Sequence, residues 1–197
     1  IEQFTDFKPT ASFKEAQMHE YFTDNPIDDY KYEVCFPNTL NTALHNYYNL
    51  SAETRNKVNS CIYLACDGMD IAANKRSLSF LSYISAIEGL VGLEEDSSPD
   101  ICLHCNRPIF GISQKFVKFL SKFVAGSEKS KRKYKDIYNL RSRITHSGKL
   151  FLSDYELSFD EDNEEKKYNE WLMRLETLQL FRISLDSWLR YSEKKMK

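Results

Sequence analysis

The clearest helical pattern in the chain lies in the stretch EKSKRKYKDIYNLRSRITHSG, residues 128–148. Its apolar side chains recur at the spacing of a single helix face; they are Tyr134, Ile137, Tyr138 and Ile144. Gly148 follows this pattern almost at once, and glycine commonly ends a helix. We therefore predict an amphipathic helix that runs from about Glu128 to His146.

Apolar stripes of the same kind extend to both sides of this stretch. Upstream they predict helices within residues 38–92 and 113–126, and downstream one long amphipathic helix over residues 160–197. The polar segment 94–107 is predicted to be a loop, and the segment 149–159 a loop or a brief hairpin. The predicted fold class is all-α, a helical bundle of about five helices with an irregular N-terminal arm.

Residues 1–37 lack the helical pattern of the rest of the chain, because prolines interrupt them and their aromatic residues follow no helical period. Only Tyr30–Phe36 alternates in the manner of a short strand. We predict that residues 1–37 are an arm that packs on the core or the remnant of an upstream domain, and that residues 38–197 form the helical domain. The first residue is Ile1 rather than methionine, so we expect a longer or processed protein.

The composition narrows the class of protein. The chain has 197 residues, of which 42% are hydrophobic, enough for one domain with a full core. A net charge of −2 argues against general coating of nucleic acid and leaves room for local basic patches. The most apolar run, Leu78–Leu93, is too short and too polar to span a bilayer. The odd number of cysteines favours a reducing, cytoplasmic setting.

Arg141 and His146 are the candidate catalytic residues. Arginine grips phosphate through a fork of donors, and histidine exchanges a proton near neutral pH. Such a pair has the chemistry to cut a phosphodiester without a metal. In an ideal helix, positions five apart point about 140° away from each other, so the pair converges only if the helix loosens near His146. The alternative is that Arg141 pairs with a carboxylate and His146 merely ends the helix.

Glu88 is the candidate supporting residue for that pair. It lies next to the apolar stripe of a predicted helix, where a carboxylate needs a partner. Arg141 or His146 is the expected partner, which would make Glu88 an orienting group. The alternative is that Glu88 reaches solvent at the end of its helix.

Cationic side chains cluster just before Arg141, and we predict that they bind RNA: Lys131, Arg132, Lys133 and Lys135, with Arg143 two residues after Arg141. Tyrosines interleave with them, as in surfaces that hold a nucleic-acid backbone and stack bases. The alternative is an ordinary solvated helix face.

Cys102 and Cys105 have metal-ligand spacing, but they form only half of a zinc site. We therefore expect a tight loop with free thiols, no metal and no cofactor. The alternative is a zinc site with these two cysteines as ligands, either within one chain or shared between two copies.

Three motifs taken in order resemble the HEPN superfamily, and in particular its Apea-like branch. They are the segment Ser85-Ala-Ile-Glu-Gly-Leu90, the pair Cys102-Leu-His-Cys105, and the segment Arg141-Ser-Arg-Ile-Thr-His146. Ser142 stands where nucleases of the superfamily often carry Asn, Asp or His, and it is a second supporting candidate.

The resemblance implies a function. HEPN ribonucleases use an R-x4-6-H motif, which carries over onto Arg141 and His146, and they generally act as homodimers in which two motifs meet at one RNA-binding cleft. Many belong to antiviral defence or toxin–antitoxin systems, so an antitoxin or regulatory protein is an expected partner. The resemblance therefore implies a metal-independent endoribonuclease. The alternative is a non-catalytic dimerisation or ligand-sensing module of a larger defence protein.

Overall fold

The structure is a computed structural model that describes residues 13–16, 34–94, 100–101, 108–109, 111–155 and 161–191. Within these ranges it is a bundle of α-helices, which confirms the predicted all-α class. The helices are α1 (Leu40–Asn49), α2 (Ala52–Asp70), α3 (Arg76–Glu94), α4 (Ile112–Phe123), α5 (Glu128–Ser147) and α6 (Glu161–Tyr191). None of these helices has an apolar run long enough to cross a membrane.

Two short strand pairs accompany the bundle. Strand β1 (Phe13–Ala16) pairs in parallel with β2 (Val34–Pro37), and β2 overlaps the end of the strand predicted at Tyr30–Phe36. Strand β3 (Asp100–Ile101) pairs antiparallel with β4 (Pro108–Ile109), inside and just beyond the segment that was predicted to be a loop.

Helix α3 is the centre of the core. Its four large, completely buried apolar side chains are Phe80, Ile84, Ile87 and Leu90. It packs along α2 and also contacts α4, α5 and α6, which cover its remaining sides. Because α3 is surrounded in this way, its apolar residues do not form one narrow stripe. The helix ends at Glu94, two residues beyond the end at Gly92 that the sequence predicted.

Two glycines let α2 and α3 approach closely. A Cβ atom added to Gly68 in α2 would lie 2.6 Å from Cε1 of Tyr83 in α3, and one added to Gly89 in α3 would collide with Sγ of Cys61 in α2. Such distances are shorter than packed atoms tolerate, so a larger residue at either position displaces the facing side chain or the helix that carries it. Since Gly89 faces α2, the neighbouring Glu88 is turned toward another side of α3.

Helix α5 has a defined beginning and end. The Ser127 hydroxyl accepts a hydrogen bond of 3.1 Å from the backbone N–H of Ser130, as expected of an N-cap. Gly148 adopts a left-handed conformation with φ of 61° at the other end, which glycine tolerates best. The described bounds agree with the helix predicted from Glu128 to His146.

A 3₁₀ turn at Leu152–Asp154 lies within the segment predicted as a loop or hairpin. The carboxylate of Asp154 accepts hydrogen bonds from the backbone N–H groups of Arg76 and Ser77, at 2.6 and 2.8 Å. These groups at the start of α3 have no partner within the helix, so Asp154 acts as a cap from a distant part of the chain. The segment that follows α5 is thereby tied to the central helix.

Candidate functional site

Glu88, Tyr138 and Arg141 form a polar cluster where α3 meets α5. The Tyr138 hydroxyl donates a hydrogen bond of 2.9 Å to Oε1 of Glu88, and the Arg141 guanidinium approaches Oε2 at 3.5 Å. The guanidinium also lies 5.7 Å from the centre of the Tyr138 ring, within the range of a cation–π contact. The structure thus gives Glu88 one of the two partners expected for it, Arg141, and adds Tyr138, which the sequence placed on the apolar face of α5.

The cluster is half-buried. The side chains of Arg141 and Glu88 are 26% and 22% exposed. Burial, together with the hydrogen bond to the nearby negative charge of Glu88, raises the pKa of Tyr138 to about 12. The tyrosine is therefore a donor at every physiological pH, and Glu88 is the acceptor. Among the described side chains, the guanidinium of Arg141 bonds only to Glu88, through one nitrogen at 3.5 Å, so most of its five N–H donors remain available.

His146 lies in the last turn of α5 and is exposed. Among the residues that the structure describes, none forms a hydrogen bond or an ion pair with it. The helix remains intact up to this point, because α5 extends to Ser147 and leaves the helical conformation only at Gly148. The loosening that would turn His146 toward Arg141 is absent from this part of α5. The two side chains of one chain therefore point about 140° apart.

The predicted RNA-binding cations divide into two groups. Lys131 pairs with Glu128 at 2.8 Å, and Lys133 pairs with Glu176 of α6 at 2.5 Å. The others, Arg132, Lys135 and Arg143, are exposed and pair with no carboxylate in the described ranges. Lys133 thus helps to join α5 to α6, whereas these three cations can reach a ligand.

Helical geometry places the free cations on the same side of α5 as His146. Going around α5, Arg132, Lys135 and His146 fall within about 60° of one another, and Arg132 precedes His146 by about 21 Å along the axis. Arg143 borders the same face. This polar face of α5 leads from its basic first half to the exposed histidine.

The first half of that face opens into a groove between α4 and α5, with a volume of about 800 Å³. Four cationic side chains line it: Lys118, Lys131, Arg132 and Lys135. Sequence reasoning identified the three cations on α5 and missed Lys118, because only the packing of α4 against α5 brings it to the same groove. The amphipathic pattern of α4 could have indicated this residue, because it places Lys118 away from the apolar face of that helix.

The remaining candidates contribute less to this arrangement. Ser142 is half-buried beside Arg141, and no described side chain forms a hydrogen bond with it. Cys102 and Cys105 lie outside the described residues. Within the described ranges, no group of three or more potential metal ligands comes together.

Comparisons with known proteins find no match: neither a family model, nor a curated protein, nor a solved structure is similar to this chain. The HEPN resemblance therefore remains a prediction that rests on the three sequence motifs alone.

Proposed function

We propose that this domain binds single-stranded RNA along the polar face of α5 and cleaves it without a metal, in a site that two copies of the chain complete. The observation that carries the proposal is the alignment of Arg132, Lys135 and the exposed His146 on one face of a single helix. A phosphate backbone that follows the cations reaches a side chain able to transfer a proton.

The chemistry needs two proton transfers at one phosphate. A neutral His146 removes the proton from the 2′-hydroxyl, and the resulting oxygen attacks the adjacent phosphorus. The bond to the 5′-oxygen breaks, and a protonated histidine supplies that oxygen with a proton. The products are a 2′,3′-cyclic phosphate and a free 5′-hydroxyl. An arginine neutralises the charge that builds up on the phosphoryl oxygens during the attack.

A single copy lacks this arrangement, because Arg141 and His146 point in different directions from α5. A second copy brings a second His146 and a second Arg141, so that base, acid and charge stabiliser can surround one phosphate. Glu88 and Tyr138 hold Arg141 in place from one side and leave most of its donors for the phosphate. Twofold symmetry is the commonest way for two identical chains to share a site.

A second candidate function is a non-catalytic dimerisation or ligand-sensing module, in which the same cluster has a structural role. It is favoured by the contacts of Arg141, which joins α5 to α3 through Glu88 and packs over Tyr138. In this alternative Arg141 stabilises the bundle, and His146 is an ordinary surface residue.

The products distinguish the two functions. Single-stranded RNA incubated with the protein and excess chelator is expected to yield fragments with 2′,3′-cyclic phosphate ends, detected by mass spectrometry. DNA of the same sequence should remain intact, because it has no 2′-hydroxyl. Fragments with 3′-hydroxyl ends would show a different reaction, and intact RNA at high protein concentration would favour the non-catalytic module.

A further inference from the structure

His146 lies within an exposed arch, residues 145–150, that spans two buried anchors. Every residue of the arch is exposed, whereas Ile144 before it and Phe151 after it are 4% and 3% exposed. Ile144 belongs to α5, and the backbone N–H of Phe151 donates a hydrogen bond of 2.7 Å to Oγ of Ser77 in α3. The direction of His146 therefore depends on how firmly both anchors are held.

The last turn of α5 lacks one of the backbone hydrogen bonds that commonly close a helix. In the Schellman motif, the N–H of the residue after a left-handed glycine bonds back to a carbonyl in the last turns of the helix. Among the described residues, the N–H of Lys149, which follows Gly148, forms no such bond, and the N–H of Leu150 bonds to the carbonyl of Gly148 at 3.0 Å. Helix ends fray, so the turn that carries His146 depends on the chain that follows the arch.

Glu170 of α6 holds the chain directly after Phe151. Its carboxylate accepts hydrogen bonds of 2.7 and 3.0 Å from the backbone N–H groups of Leu152 and Ser153, and a third of 2.8 Å from the Ser153 hydroxyl. The guanidinium of Arg76 in α3 donates to the carbonyl of Ser153. Hydrogen bonds to an ionised acceptor are roughly twice as strong as those between neutral groups. Glu170 therefore fixes the chain after the arch to α6.

We propose that Glu170 is a positioning residue that keeps the last turn of α5 closed and His146 in a single direction. It contacts the chain six and seven residues after His146, so it acts through the backbone rather than on the RNA. Its effect on cleavage rests on the proposed function, whereas the anchoring itself can be measured without RNA. The contact lies beyond the end of α5 opposite to its basic first half, so it should influence the chemical step and not the binding of RNA.

Hydrogen exchange of the backbone tests the anchor in Glu170→Gln. An amide side chain has one acceptor oxygen in place of two, so its NH2 group meets a donor and at least one of the three bonds is lost. Loss of a hydrogen bond to a charged group changes an equilibrium by about tenfold or more, so the amides of Leu152 and Ser153 should exchange about tenfold faster. Residues 145–150 should also exchange faster, while residues 134–141 should not change.

The matched control is Glu165→Gln, which removes the same charge from an exposed position of α6 and should leave exchange in residues 145–155 unchanged. Ser153→Ala is a milder variant, because it removes the hydroxyl donor and keeps both backbone bonds to Glu170. It should accelerate exchange in the same segment by a smaller factor, and it replaces Glu170→Gln if that variant does not fold. If the folded variants exchange like the parent in the arch, the proposal is wrong.

The kinetics of RNA cleavage separate positioning from binding. A reacting group displaced by about 1 Å can slow a reaction by about a hundredfold, so kcat of Glu170→Gln should fall by up to about that factor. KM for RNA should not change, because Arg132 and Lys135 lie in the first half of α5. Circular dichroism and light scattering show that each variant is folded and has the mass of the parent. Glu165→Gln should cleave RNA like the parent.

The anchor and the ribonuclease can fail separately. A lower kcat together with faster exchange in the arch supports both. If no protein cleaves RNA but Glu170→Gln exchanges faster in the arch, the anchor stands and the ribonuclease proposal fails. If the parent cleaves RNA and Glu170→Gln has the same kcat as Glu165→Gln, Glu170 does not position His146 and the cleavage proposal stands.

Discussion

Tyr138 donates a hydrogen bond of 2.9 Å to Glu88 and so joins α5 to the central helix α3. The same carboxylate holds Arg141 at 3.5 Å through its second oxygen. The orientation of the candidate phosphate-binding arginine therefore depends on a tyrosine one turn before it in the same helix.

Tyr138→Phe should destabilise the fold. It leaves the half-buried carboxylate of Glu88 without its shorter hydrogen bond, and a hydrogen bond to a charged group contributes about 1.5–3 kcal/mol. We expect the free energy of unfolding in urea to fall by about that amount. The same change at Tyr63, which is 68% exposed on α2, should have almost no effect. Equal losses in the two variants would mean that the Tyr138 hydroxyl contributes nothing specific.

The raised pKa of Tyr138 predicts a loss of stability at alkaline pH. Its pKa is about 12 in the folded protein and ordinarily about 10, so the folded state binds this proton more tightly than the unfolded state does. The stabilisation is complete below pH 10 and is lost as the pH rises from 10 toward 12. The stability difference between the parent and Tyr138→Phe should shrink by up to about 1.4 kcal/mol per pH unit in that window. A constant difference up to pH 11.5 would contradict the assignment.

Gly68→Ala and Gly92→Ala should change stability in opposite directions. At Gly68 the added methyl group collides with the Tyr83 ring, and overpacking of this kind costs about 1–3 kcal/mol. At Gly92 no atom lies within 4 Å of the new Cβ, and alanine in a helix is more stable than glycine by about 0.5–1 kcal/mol. Chemical unfolding of both variants measures the two changes. Stabilisation by Gly68→Ala would show that α2 and α3 do not pack closely at Gly68.

A composite site requires association of two chains. We expect light scattering at high micromolar concentration to give twice the mass of the 23.1 kDa chain. Cleavage per molecule of protein should fall as the solution is diluted below the dissociation constant of the dimer. A monomer whose cleavage per molecule is independent of concentration would exclude the shared site.

The helices were predictable because each repeats a local signal. Val58 and Ile137 lie on apolar stripes and are completely buried, and Ser51 caps α2 by accepting a hydrogen bond of 3.1 Å from Thr54 N–H. Features that depend on distant contacts were not predictable in this way. The cap that Asp154 provides for α3 joins residues 77 positions apart or more, and no local pattern indicates it.

The candidate site was likewise predictable only in part. The pairing of Glu88 with Arg141 was expected, since a carboxylate beside an apolar stripe needs a partner within reach. The hydrogen bond that Tyr138 donates to Glu88 was not predicted, because the sequence indicates only that this tyrosine occupies a core position. The relation between Arg141 and His146 depended on the exact end of α5, which sequence signals locate only within a few residues.

The rate of RNA cleavage by His146→Ala, compared with that of His45→Ala, tests most directly the central claim that His146 transfers the proton. Both substitutions remove an exposed histidine from a helix, but His45 lies on α1, outside the proposed site. Loss of a general acid–base group lowers a rate by about 10²–10⁴, so His146→Ala should lose at least about a hundredfold with chelator present. His45→Ala should cleave like the parent. If the two variants cleave RNA equally fast, His146 is not the proton carrier and the proposed ribonuclease mechanism is wrong.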